Sequence, residues 1–171
     1  MAPAALARVK ALSDETLAAD IDFFGMMKLP AAALLVQQLL GQGECVVLFT
    51  AFVAAAELLH AQLGGVLLTG RQPVADRQRL VDGFQRGDQP LLISTFGTGG
   101  LGFTLHRAQH VVLLERPWTP GDAEQAEDRC HRIGMGASLQ SHWLQLGLAD
   151  QLVDGLIASK AERIELLLQR R

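Results

Sequence analysis

Four short, almost uninterrupted apolar runs constrain this chain more than any other feature: "CVVLFT" (45–50), "GVLLT" (65–69), "PLLIST" (90–95) and "HVVLLE" (110–115). Each has the length of a strand and offers no polar face to water, and helical patterns separate them. Strands of this kind need cover on both sides, and the alternation supplies it: the pattern predicts an α/β fold, a parallel sheet flanked by helices on both faces. The intervening helices are read from "AFVAAAELLHAQLG" and from "PVADRQRLVDGFQRG", the latter with Pro73 in its first turn and Gly87 as its stop. A weaker fifth strand is read from "LQSHWLQL" (139–146).

Upstream of the first strand the chain reads as helical. "SDET" (13–16) resembles a capping box, and Pro30 is expected to open a further helix at "PAAALLVQQLLGQG". Downstream, Leu152, Val153, Leu156, Ile157, Ile164, Leu167 and Leu168 recur at three- and four-residue steps, the signature of an amphipathic closing helix over 149–171. The expected organisation is an N-terminal helical connector over 1–27 and one α/β lobe over 28–171.

Composition narrows the function classes. With 49% hydrophobic and 19% charged residues, and no apolar run of membrane-spanning length, the chain reads as an intracellular globular protein. Cys45 and Cys130 are far apart and form no C-x-x-C, so neither a zinc site nor a disulfide framework is expected. The net charge of -3 argues against a polycation wrapped on nucleic acid. Yet Lys10, Lys28 and Lys160 are the only lysines among 15 basic residues, and the arginines that make up the rest are the better forks for phosphate.

The third strand runs into "TFGTGGLGF", where Gly97, Gly99 and Gly102 spell G-x-G-x-x-G, and Glu115 lies near where a dinucleotide fingerprint places its ribose acid. The spacing rejects that reading. Only "TLHRAQ" separates Phe103 from the next strand, too little for the helix of a βαβ crossover, and the turn follows the third strand where the fingerprint follows the first. The glycines instead free backbone N–H groups at the carboxyl end of a parallel strand, the edge where open α/β sheets bind ligands.

After the fourth strand comes "ERPWTPGDAEQAEDRCHRIGM" (115–135), a proline-bounded loop leading to a helix from about Asp122. Gln125, Arg129 and Arg132 fall at i, i+4 and i+7 on one face; Ala123, Ala126, Cys130 and Ile133 form a separate apolar stripe able to pack on the sheet. This helix therefore presents an amide and two arginines beyond its own core contacts, at the same sheet edge as the glycine turn, on what is read as the neighbouring strand. The bland alternative is a solvated charged face.

"LLISTFGTGGLGFTLHRAQHVVLLERPWTP" with "QAEDRCHRIGM" resembles motifs V, Va and VI of the Swi/Snf-type DNA translocases of helicase superfamily 2, "VVLFTAF" resembles motif IV, and "LLTGRQPVADRQRLVDGFQRGD" the segment after it. The resemblance spans roughly 28–160 and implies the second, C-terminal RecA-like lobe of such a motor. It makes Arg129 and Arg132 the arginine pair facing ATP phosphates, with Gln125, Gly100 and Gly102 at the nucleotide. It puts Ser94, Thr95 and Gly99 beside a DNA phosphate, and Trp118 in the loop between the last two motifs. The chain departs from the pattern at "STFGTGG", at Thr104 and at Met135. His110, Glu115 and Asp122 receive no role.

A motor of this type needs a P-loop, G-x-x-x-x-G-K-[ST], for the β- and γ-phosphates and magnesium. No lysine here follows glycine or precedes serine or threonine, and Asp14-Glu15 lacks the preceding strand of a metal-binding acid pair. ATP and Mg2+ are accordingly expected on an N-terminal RecA-like lobe outside this sequence, with that lobe and the DNA backbone as partners and no membrane. The competing readings are the lobe of another superfamily 2 helicase and an interaction module that has lost its motor.

Overall fold

The computed structural model describes residues 14–101, 103–115, 130, 139–145 and 147, with side chains from Met26 onward, Leu101 excepted. The described elements are α1 (Asp14–Gly41), β1 (Val46–Thr50), α2 (Val53–Leu63), β2 (Val66–Leu68), α3 (Val74–Arg86), β3 (Leu91–Thr95), a 3₁₀ turn (Phe96–Leu101), β4 (His110–Leu113) and β5 (Gln140–Trp143). The strands form a five-stranded sheet in the order β2-β3-β1-β4-β5, and each neighbouring pair is parallel.

Each strand residue is assigned to one face by the period of two. Val47, Phe49, Leu92, Val111 and Leu113 pack with Val81 and Phe84 of α3 and with Phe103, Leu105 and Ala108 of the β3–β4 connection. Val46, Leu48, Leu91, Ile93, Val112 and Leu114 pack on the other face, against Ala32, Ala33, Val36 and Leu39 of α1 and Ala55, Ala56 and Leu59 of α2. Both faces are covered, which is why the runs read as continuously apolar. Phe84 and Phe49 are among the largest fully buried side chains.

Pro30 does not open a new helix. It sits inside α1, which runs unbroken from Asp14 to Gly41. Proline removes one backbone bond, to the carbonyl four residues back, but Pro30 and Met26 are both exposed, so water can satisfy that carbonyl. Pro73 lies one residue ahead of α3, where its missing N–H costs nothing. Gly87 ends α3 as expected: at φ +97° its N–H bonds the Phe84 carbonyl while Asp88 N–H bonds the Gly83 carbonyl, the paired closure of a Schellman motif. Arg107 secures the same corner, donating to the carbonyls of Phe84 and Gln89 at 3.1 Å each, with its guanidinium over the Phe84 ring. The closing helix expected over 149–171 and residues 1–13 of the N-terminal connector lie outside the described residues.

The edge strand β5 carries a pH-dependent contact. His142 and His110 approach at 2.9 Å between Nε2 and Nδ1, and Glu44 lies 3.6 Å from His110 Nε2. Burial and the neighbouring His110 hold His142 below its ordinary pKa of 6.5. The unfolded chain thus binds the proton more readily, so the stability linked to His142 is whole above pH 6.5 and is lost as pH falls below it. Unfolding by urea at pH 7.5 and pH 5.5 is expected to show a larger drop for the parent than for His142→Asn; equal drops would disprove the linkage.

Candidate functional site

The carboxyl edge of the sheet collects the polar groups of four strand ends. β1 closes on Thr50, β2 runs into Thr69, β3 closes on Ser94 and Thr95, and two residues beyond β4 stands Glu115; all are buried. Their positions follow from the register: Thr50 is opposite Thr95 across the β1–β3 ladder, and Leu68 is opposite Ser94. The glycine turn leaves β3 as a 3₁₀ helix carrying Gly99 and Gly100, and Gly102 lies outside the described residues. The turn's strand is not the neighbour of β4. β1 lies between them, because the connection over 96–109 crosses β1 on the α3 face, and this puts the β1–α2 corner at the centre of the edge.

Hydroxyls line this edge, each engaged in a hydrogen bond within the protein. Thr95 and Thr98 share a short hydrogen bond, and Thr98 Oγ1 lies 3.5 Å from the Leu68 carbonyl, linking the turn to β2. Ser94 Oγ donates to the Thr95 carbonyl. Ser94 is 2% and Thr95 6% exposed, so both belong to the floor of the edge, and a phosphate reaching them has to replace these internal partners. The β2–α3 loop is braced from within: Gln72 accepts from the Thr69 N–H at 2.8 Å and donates to the Leu67 carbonyl, while Arg77 donates to the carbonyls of Gly70 and Gln72 at 2.7 Å. Arg71, bridged to Glu57, and Arg79, bridged to Asp76, form exposed ion pairs beside that loop.

At the centre, Glu115 is 4% exposed. One carboxylate oxygen accepts from Thr50 Oγ1 at 3.0 Å and the other from the Ala51 N–H at 2.9 Å; Thr50 Oγ1 in turn accepts from the Phe52 N–H at 3.2 Å. Phe52 caps α2 without a side-chain hydrogen bond, and the two backbone N–H groups just ahead of the helix, those of Ala51 and Phe52, are taken by Glu115 and by Thr50. Burial pushes the Glu115 carboxyl up to about 7, against these hydrogen bonds and the charge of Lys28 on α1, which lower it.

Of the residues singled out in the sequence, the described part of the structure brings Ser94, Thr95, Gly99 and Gly100 to one strand end. Trp118, Gln125, Arg129 and Arg132 lie outside the described residues. Cys130, which falls between Arg129 and Arg132 in sequence, is described: it is helical, fully buried, and part of the core cluster on the α3 face. That is the packing expected of Cys130 in the apolar stripe; Ala123, Ala126 and Ile133 lie outside the described residues. The residues the sequence reading missed are Thr50, Thr69, Thr98, Lys28 and Glu115. A signal existed for Thr50, Thr69 and Glu115, since the apolar runs "LFT", "LLT" and "LLE" each end on a hydroxyl or an acid, and none existed for Thr98 or Lys28.

A five-stranded parallel sheet between helices, with its polar groups gathered at the carboxyl edge beside a glycine turn, defines a RecA-like α/β lobe. The helicase conserved C-terminal domain family matches residues 31–134, and the chain belongs to it. Its relatives are Swi/Snf-type superfamily 2 helicases. The chain is 37% identical over 99 residues to the DNA annealing helicase and endonuclease ZRANB3 of Bos taurus, covering 57% of this chain and 9% of that protein. It is 34% identical over 113 residues to Helicase SWR1 of Candida albicans, covering 63% and 7%, and 30% identical over 126 residues to the putative ATP-dependent helicase/translocase YwqA of Bacillus subtilis, covering 70% and 14%. The crystal structure of the C-terminal part of the Fun30 ATPase domain superposes with a TM-score of 0.65 at 27% identity, over 76% of this chain and 45% of that one. The chain thus spans a small fraction of the curated relatives it matches.

Proposed function

We propose that this chain is the C-terminal lobe of a Swi/Snf-like, ATP-dependent double-stranded DNA translocase, acting with an N-terminal lobe that holds ATP and Mg2+. The observation that carries this reading is the meeting of two features at one sheet edge: the glycine turn after β3, and the β4 exit leading to the "QAEDRCHRIGM" segment that Cys130 ties into the core. Arg129 and Arg132 act as arginine fingers on the γ-phosphate, and Gln125, Gly100 and Gly102 complete the nucleotide side. Gly99, with Ser94 and Thr95 once their hydroxyls exchange partners, faces a DNA phosphate, and Trp118 belongs to the adjoining loop. A connector over 1–27 and a lobe over 28–171 remain the proposed division of the chain.

ATP and magnesium contribute the transferable phosphate and its charge neutralisation; this chain's residues orient and stabilise. At the described edge the buried carboxylate is Glu115, whose two oxygens are already engaged, and the exposed Glu57 and Asp76 are paired with arginines. Magnesium favours open carboxylates and water, so this donor set does not fit it, in keeping with a metal held by the other lobe. Closure of the two lobes brings the arginines to the phosphate, and release reopens the cleft; repetition along a backbone moves the motor.

Two measurements test this. The chain alone is expected to hydrolyse no ATP, and DNA-stimulated turnover that survives repurification would refute the split site. Its duplex binding is expected to be weak and to fall steeply with salt, as phosphate contacts require. Fluorescence anisotropy showing tight or sequence-specific binding would contradict a backbone track.

A further inference from the structure

β3 ends on Thr95, and the chain turns at once into the 3₁₀ helix Phe96–Leu101. Such a turn eclipses side chains three residues apart, so Thr98 comes back over Thr95 and their hydroxyls meet. Both residues are buried. Thr98 Oγ1 also reaches the Leu68 carbonyl, at the end of β2, at 3.5 Å. A hydroxyl carries one proton and a carbonyl can only accept, so Thr98 donates to Leu68 and Thr95 donates to Thr98. The single proton of Thr95 is thus already committed. A second contact, the Phe96 ring stacked on Phe49 of β1 with centroids 5.8 Å apart, holds the start of the turn.

A DNA phosphate oxygen accepts hydrogen bonds and donates none, so at Thr95 it competes with Thr98 for that one proton. We propose that Thr98 is a latch on the glycine turn: while Thr98 holds the Thr95 proton the turn is fastened to β2, and a DNA phosphate taken by Thr95 releases it. Two observations make the release easy. The Thr98–Leu68 bond is long beside the usual O–H···O separation of about 2.7–2.8 Å, so it holds weakly. Next to the pair, a Cβ built on Gly97 would meet nothing within 4 Å, so that side of the turn borders open space. Thr95 itself lies in the ladder opposite Thr50, so opening moves the turn and leaves β3 in the sheet. The latch deepens the motor reading and rests on its assignment of Thr95 to a DNA phosphate. It makes phosphate binding at Thr95 and fastening of the turn mutually exclusive.

The test measures binding of a labelled mixed-sequence DNA duplex to this chain at low salt by fluorescence anisotropy. Thr98→Val removes the competing acceptor and keeps the shape of the side chain, so binding is expected to tighten about 3- to 10-fold, the net contribution of one hydrogen bond. Thr98→Ser keeps the acceptor and should bind as the parent does; a gain there equal to that of Thr98→Val would overturn the latch. Thr95→Val should weaken binding by a similar factor, and adding Thr98→Val to it should restore nothing. Unchanged or weaker binding in Thr98→Val, with Thr95→Val impaired, overturns the latch and leaves the phosphate contact standing. Parent-like binding in Thr95→Val removes the phosphate contact itself, and the latch with it. A measurement on the parent decides the matter should Thr98→Val fail to fold. The Thr69 N–H shares a peptide group with the Leu68 carbonyl, so its amide resonance should shift with duplex saturation in the parent and stay still in Thr95→Val. A Thr69 amide that stays still in the parent while those of Phe96 and Gly97 move overturns the proposal equally.

Discussion

Arg129→Ala and Arg132→Ala, each placed in the full-length protein with its upstream lobe, are expected to leave ATP and DNA binding near parent levels while hydrolysis falls about 10³- to 10⁵-fold, roughly 4 to 7 kcal/mol. The asymmetry has a physical origin. An arginine aimed at the γ-phosphate gains most where charge shifts in the transition state, and ground-state affinity resides mainly in the lobe that carries the P-loop. Lysine is expected to rescue poorly, because a point charge cannot reproduce the planar fork. Arg163, which the sequence puts in the C-terminal amphipathic segment, serves as the control, and its alanine variant should retain the parent rate. Steady-state ATPase with saturating duplex DNA decides the matter. Parent-like turnover in both variants would return "QAEDRCHRIGM" to an ordinary charged helix.

The largest effect on stability is expected from Gly65→Ala, at about 2 to 5 kcal/mol. Gly65 has φ +86°, where a side chain is already strained, and a Cβ built on it would lie 2.7 Å from the Leu91 carbonyl oxygen and 2.9 Å from Leu91 Cβ. Leu91 begins β3 and is fully paired with β1, so it cannot move without disturbing the centre of the sheet. Gly43 has a similar φ of +84° with nothing near its would-be Cβ, so Gly43→Ala carries the conformational strain alone, about 1 to 2 kcal/mol. Urea unfolding of the two variants separates the terms. Equal losses would show that the contact with Leu91 contributes nothing.

Local chemistry made much of the lobe readable. Each apolar run became a strand because a residue without a polar face has to be covered on both sides. Gly87 ended α3 because glycine alone takes φ +97° at no steric cost. The "QAEDRCHRIGM" spacing placed Cys130 on a stripe that packs inward, and it is buried in the core. Pro30 was misread for a local reason: proline in isolation says helix start, and only the exposure of its side of α1 shows why the helix passes through it.

The sequence by itself determined the strands, their parallel sense, the cover on both faces and the family resemblance, because these depend on periodicities and motifs within a few residues. Tertiary structure alone decided which strands touch. It inserted β1 between β3 and β4, brought Thr50 against Glu115 across 65 positions, set Lys28 of α1 near that carboxylate, and put Leu91 where Gly65 admits no side chain. Such pairings arise when a sheet closes its ladder around a shared core, and a carboxylate shows no local sign of the partner it will meet.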